Sequence, residues 1–227
     1  REASDLVLVD DAYQEIVGAV EGGRGLASQL RRAVAFYLGA KLALVTVITV
    51  ALALGLAAPF QPVHLVVLEL FMDIGASIAF VSEPTAPDTM ERPPRDPARR
   101  FLDRTQLAAI GLTAGALVVA VLPTFLIVHA EWGTGMARAA AVAAWLIANT
   151  AIGWNLRGRV LARNLAFPVW GLTALAAGLV LSLTGIGAAL GVKVLNLEAL
   201  AITVGIAAAG VVSAAVGRVV LSLRASL

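Results

Sequence analysis

Six blocks, each of roughly twenty apolar residues, dominate this chain. They run near 34–56, 63–81, 107–129, 138–156, 168–190 and 199–221. A bilayer core takes about 20 apolar residues per helix, so each block is long enough to cross one. The blocks are too long for barrel strands and lack a period of two, which excludes an outer-membrane barrel. They are rich in Ala, Gly, Val and Leu, and small residues let helices approach closely. The expected fold is therefore an all-α integral membrane protein, a compact six-helix transmembrane bundle. Composition agrees: 59% of the 227 residues are hydrophobic and 14% charged, against about 25% charged in soluble domains. That excludes an ordinary soluble enzyme or a disordered tail. A net charge of +2 leaves no excess for binding nucleic acid, and the absence of cysteine removes disulfides, thiolate metal sites and thiol nucleophiles.

The loops orient the bundle through their Lys/Arg content. Arg1, Arg24, Arg31 and Arg32 precede the first span, and Arg92, Arg95, Arg99, Arg100 and Arg104 follow the second. Arg157, Arg159 and Arg163 follow the fourth, and Arg218 and Arg224 end the chain. All of these fall on one side of a six-span arrangement, with Arg138 and Lys193 opposite and Lys41 inside the first span. Both termini are expected in the cytoplasm, and the membrane is expected to be a bacterial plasma membrane.

The first thirty residues are polar and do not form a cleavable signal. Ser4–Val9 reads as a short strand, and Asp10 and Asp11 offer a helix N-cap with Gln14 following. Apolar spacing at Ile16, Val17, Val20 and Leu26 predicts a helix, and no proline stops it before the first span. One long helix is expected to run from the cytoplasm into the bilayer. A strand and half a helix have no core of their own, so residues 1–32 read as a strand-helix stub of a truncated α/β domain. The chain does not start with Met, so truncation is expected.

Ionisable residues inside a membrane cost about 2.5–3.5 kcal/mol each on insertion scales and are functional candidates by default. Glu69 and Asp73 are four apart and share one helical face in the second span. Gly75, Ala76 and Ser77 follow, small residues that allow the helix to unwind and expose carbonyls. Two carboxylates on one face suit a cation or proton; the alternative is a protonated pair packed in the bundle. Lys41 either snorkels to the interface or pairs with one of these carboxylates from the neighbouring antiparallel helix. Asn149, mid-span, is either an ion-site oxygen or an interhelical hydrogen-bonding group. His64 and His129 are expected at the interface, Trp132, Trp154 and Trp170 in an aromatic belt, and Trp145 inside the bundle. Arg218 is expected to snorkel. The prolines between Ser82 and Gln106 forbid a long helix there.

Three stretches resemble P-type cation-transporting ATPases, in that family's order and spacing. Arg1–Asp11, with Ile16-Val17 and Gly22-Gly23-Arg24, resembles the end of the phosphorylation domain. Glu69-Leu70-Phe71-Met72-Asp73 resembles the ion-binding stretch of the sixth membrane helix, and Met90–Arg95 the cytoplasmic loop after it. The resemblance implies that residues 1–32 end the phosphorylation domain and begin a stalk helix. It implies that 33–227 are membrane helices five to ten, a cation-transport domain with a cytoplasmic loop at 82–106. It implies an ion site at Glu69, Asp73 and Asn149, a modulating role for Lys41, and docking of the loop on the phosphorylation domain through Arg92 and Arg95.

The chain lacks the family's Asp-Lys-Thr-Gly-Thr, Thr-Gly-Glu and Gly-Asp-Gly-x-Asn-Asp motifs. No cofactor is expected in this chain, and alone it should not hydrolyse ATP. ATP and Mg are implied for the intact pump. The implied partners are the pump's actuator, nucleotide-binding and phosphorylation domains, its helices one to four, the transported cation and the bilayer. A lysine facing Glu and Asp is similar to the proton/potassium pump, and Met72 stands where calcium pumps carry a threonine. Protons or a monovalent cation are therefore favoured, with calcium open. The competing readings are an ATP-independent six-span carrier or channel and a non-catalytic membrane subunit.

Overall fold

In a computed structural model the described residues are 13–70, 75–94, 101–157 and 164–225. They form α1 (Tyr13–Ala53), α2 (Pro62–Glu69), α3 (Gly75–Val81), α4 (Arg104–Trp132), α5 (Thr134–Leu156), α6 (Ala166–Leu183), a 3-10 turn (Gly185–Leu190) and α7 (Leu197–Ala225). No strand occurs among the described residues. The architecture is an all-α membrane bundle, with five helices long and apolar enough to cross a bilayer: α1, α4, α5, α6 and α7.

The long helix expected at the N-terminus is present. α1 runs unbroken for 41 residues, about 60 Å at 1.5 Å per residue. Gly18, Gly22 and Gly23 lower its propensity but meet open space, and nothing in the segment breaks the ladder. The strand expected at Ser4–Val9 and the cap at Asp10–Asp11 lie outside the described residues.

Two expected spans differ from the sequence reading. The block at 63–81 is seen as α2 and α3, on either side of undescribed residues 71–74, so a sixth continuous span is not established. The block at 168–190 stops early: α6 ends at Leu183, and Thr184 turns to extended backbone (φ −125°, ψ 161°). Gly191 then adopts φ 70°, a left-handed turn that favours glycine. Hydropathy continues through these residues, but the backbone leaves the helix at Thr184.

α5 is the axis of the bundle and packs against α1, α4, α6 and α7. Its alanines at 137, 139, 140, 141, 144 and 148 are fully buried. A helix apolar on every side belongs in the centre, and alanine lets four neighbours come close. α7 approaches α4 at Gly210, where a Cβ would fall 2.7 Å from the Ala116 carbonyl oxygen. The outward faces remain apolar: Val169, Leu172 and Leu179 on α6 and Val204, Val212 and Val216 on α7 are exposed. In water such faces would drive association; in a bilayer they are the lipid surface.

Trp170, expected in the interfacial belt, is buried instead. It packs edge-on against Phe36 and Phe167 at centroid distances of 6.2 and 5.3 Å. Gly75 makes room for it, since a Cβ there would lie 2.7 Å from the indole nitrogen. Trp145 packs in the core beside Phe60, as expected. Trp154 is partly exposed at the end of α5.

Candidate ion site

α1, α2 and α5 each bring one polar side chain to a common cavity. Lys41 comes from α1, Glu69 from the last position of α2, and Asn149 from α5. Ala40, Leu44, Leu65, Leu68 and Trp145 complete its wall. The Lys41 ammonium is ion-paired with the Glu69 carboxylate and lies 4.9 Å from the centre of the Tyr37 ring. Lys41 thus makes the internal pair that the sequence left open against snorkelling. Its side chain is 27% exposed and that of Glu69 42%, so the cavity opens on the Glu69 side. The space is small, about 10 Å³ for the centre of a water-sized sphere, which is room for a single water or bare ion.

Asn149 is 1% exposed. Neither its amide oxygen nor its amide nitrogen has a hydrogen-bond partner among the described residues. The interhelical hydrogen bond weighed from the sequence is therefore not made there. Buried amides without partners cost about 1–3 kcal/mol per group, and a bilayer offers no water to compensate. Thr150 Oγ1, next in sequence, is likewise buried without a partner. Asp73 and Met72 lie outside the described residues.

A second polar cluster lies at the other end of the same elements, around Glu83, a residue that sequence reasoning passed over. Its side chain is 2% exposed and accepts from Arg157 Nε at 2.6 Å; Arg157, counted as a loop residue, is itself 4% exposed. The Arg157 guanidinium also lies 5.4 Å from the ring centres of Trp154 and Phe167, a cation–π arrangement suited to a desolvated arginine. Arg32 on α1 lies 3.8 Å from the second carboxylate oxygen. Gln29 Nε2, one turn earlier, donates to the Glu83 carbonyl. Asn164 Nδ2 donates to the Ala79 carbonyl at 2.9 Å, and Arg157 donates to the Asn164 carbonyl at 3.4 Å. The sequence signal was slight: one acid at the end of an apolar block, directly before Pro84.

The loop after Glu83 lies on α1. Arg24 donates to the carbonyls of Thr89 and Arg92 at 3.3 and 3.0 Å, and the Arg92 guanidinium pairs locally with Asp88 at 2.6 Å. Arg95 lies outside the described residues. At the head of α4, Asp103 caps the helix by accepting from Gln106 N at 2.9 Å and pairs with Arg31 at 2.5 Å. The Gln106 N–H, with Arg31 adding to it, holds the Asp103 carboxyl below its ordinary range.

His64, expected at the interface, is buried. Its Nδ1 accepts from Gln61 N–H at 3.2 Å and its Nε2 donates to the Leu190 carbonyl at 2.7 Å. It ties the start of α2 to the end of the 3-10 turn and stands apart from the ion cavity. His129 stacks on Phe125 at 5.7 Å. Arg218 lines a cleft with Asn155, beside α7.

The family model described as "Cation transporting ATPase, C-terminus" matches residues 57–220, most of the bundle just described. The chain belongs to that family. This C-terminal ATPase region is 33% identical over 95 residues to Calcium-transporting ATPase 1 of Yarrowia lipolytica, covering 42% of the chain and 10% of the relative. It is 34% identical over 121 residues to Probable cation-transporting ATPase F of Mycobacterium tuberculosis, covering 51% of the chain and 13% of the relative. With P-type sodium-transporting ATPase4 of Toxoplasma gondii it shares 32% over 104 residues, 46% of the chain and 8% of the relative. The aligned part thus spans about a tenth of the length of these relatives. Membership bears out the family resemblance of Glu69–Asp73 and Met90–Arg95, which lie within the matched residues. The names of the relatives differ in the ion they carry, so membership leaves the ion open.

Proposed function

We propose that this chain is the membrane transport portion of an ATP-driven P-type cation pump and carries part of its ion site at Lys41, Glu69 and Asn149, with Asp73 completing the acidic pair. The observation that carries this reading is the Asn149 amide, without a hydrogen-bond partner among the described residues and buried against a cavity that also holds an ammonium–carboxylate pair. Ionisable and polar groups inside a membrane mark functional sites by default, and a bound cation would give the amide oxygen a partner. ATP hydrolysis, with Mg, would be supplied by the phosphorylation and nucleotide-binding domains of the intact pump. The helices of that pump's N-terminal half would add oxygens on the open side of Glu69. Residues 1–32 would be the end of the phosphorylation domain and the stalk, with both termini in the cytoplasm.

Lys41 favours a proton or a monovalent cation. Calcium requires six to eight oxygen ligands, and a fixed ammonium at the carboxylate repels a divalent ion more than a monovalent one. In this reading Lys41 takes the cation's place on Glu69 when the ion departs, which assists release. The test is cation-stimulated phosphoenzyme formation by the intact pump with protons, sodium, potassium and calcium in turn. Glu69→Gln and Asn149→Leu are expected to abolish the stimulation. Lys41→Ala is expected to slow ion release and shift the pH dependence of transport. Unchanged transport and pH dependence in Lys41→Ala would sink the assignment of that residue.

A further inference from the structure

Two of the three elements that converge on the ion cavity, α1 and α5, converge a second time on Glu83, which lies just past α3. α1 carries Lys41 at the cavity and Arg32 at Glu83, nine residues or about 14 Å away along the helix. α5 carries Asn149 at the cavity, and Arg157 follows its last turn, eight residues or about 12 Å away. Glu83 follows the end of α3 by two residues. We infer that Glu83 and Arg157 are positioning residues for the ion site, a buried ionic clamp that holds α1, α5 and the end of α3 in the register that brings Lys41 and Asn149 to Glu69.

Burial and directionality support this. Glu83 and Arg157 are both desolvated, and a desolvated pair defines one geometry because sliding either partner leaves a charge exposed to an apolar surrounding. The Glu83 carbonyl accepts from Gln29 as well, so backbone and side chain grip α1 and α5 at once. The grip on α1 is the looser of the two: Arg32 stands at 3.8 Å, and its Nε is buried with no hydrogen-bond partner among the described residues. Gln29 and Arg32 together tie α1 to Glu83, so loss of the Glu83 charge loosens α1 against α5 and alters the spacing between Lys41 and the other two site residues. The role in transport rests on the pump reading; the clamp itself does not.

The test uses the absence of native cysteine. Cysteines are placed at Leu44 and Leu65, which face the ion cavity from α1 and α2, and linked with a short bifunctional maleimide in membranes without ATP or added ion. Glu83→Gln is expected to lower the initial cross-linking rate several-fold, and Glu83→Asp, which keeps the charge, to restore most of it. In the intact pump, Glu83→Gln is expected to raise the half-saturating concentration of the stimulating cation about 2- to 30-fold with little change in maximal rate. Wild-type cross-linking and half-saturation in a folded, monodisperse Glu83→Gln protein would overturn the clamp. If Glu83→Gln does not accumulate, Arg157→Lys is read instead: it keeps the charge but loses the guanidinium fork. An intermediate rate supports the clamp and a wild-type rate overturns it. If cross-linking falls but no cation stimulates ATP hydrolysis, the clamp stands and the pump reading fails. If cations stimulate hydrolysis and Glu83→Gln changes neither readout, the reverse holds.

Discussion

The bundle holds two buried polar clusters built on the same elements, and they are finished to different degrees. Around Glu83 the buried carboxylate meets Arg157 and Arg32, and neighbouring amides close on backbone carbonyls. Around Asn149 a buried amide faces a cavity with both of its polar atoms unmatched among the described residues, beside a partly exposed ion pair. The difference separates a group that holds structure from a group that waits for a ligand. A matched buried cluster resists perturbation because any loss strands a charge. An unmatched one already carries its penalty, so its removal should cost the fold little and the activity much.

Substitutions at five positions would break or sharpen that contrast. The largest stability effect is expected at the matched cluster: Arg157→Leu leaves Glu83 without its closest cation and should cost about 3–5 kcal/mol. The double change Glu83→Leu/Arg157→Leu should cost clearly less than the two single changes together, read as chemical unfolding in detergent. A glycine contact comes next: Gly75→Ala forces a methyl against the Trp170 indole and should cost about 1–3 kcal/mol as overpacking, with a shift in tryptophan emission. At the unmatched cluster the sign reverses. Asn149→Leu should leave thermal stability equal or raised by about 1 kcal/mol while cation stimulation of the intact pump is lost; a drop in stability like that of Arg157→Leu would show that the amide is structural.

The smallest effect concerns the end of α4. Asp103→Ala should cost about 1 kcal/mol through loss of the helix cap. The carboxyl of Asp103 is held below its ordinary value in the fold, so its contribution is present above the unfolded value of about 3.9. It fades as pH falls through the lower folded value. An acid titration of stability should therefore steepen below about pH 4 in the wild type and flatten in Asp103→Asn.

Much of this molecule was legible in its residues because a bilayer leaves few options. Hydrocarbon satisfies no backbone group, so long apolar blocks become helices. Charge at a helix centre is costly, so Lys41, Glu69 and Asp73 stood out at once, with the polar Asn149 after them, and three spaced motifs indicated the family. What tertiary structure decided lay where one-dimensional signals are alike. An acid at the end of an apolar block and an arginine in a basic loop look solvated in sequence; packing buries Glu83 and Arg157 against each other, with Phe167 and Trp154 alongside. Tryptophan near a span end suits an interfacial belt, yet Trp170 turned inward because Gly75 leaves space for its ring. Histidine near an outer end was assigned to the interface, and His64 instead closes two backbone partners inside the bundle. Hydropathy sets which segments leave water, because it sums over many residues of one segment. Which polar groups find partners depends on helix faces meeting across long sequence separations, and only the assembled bundle determines that.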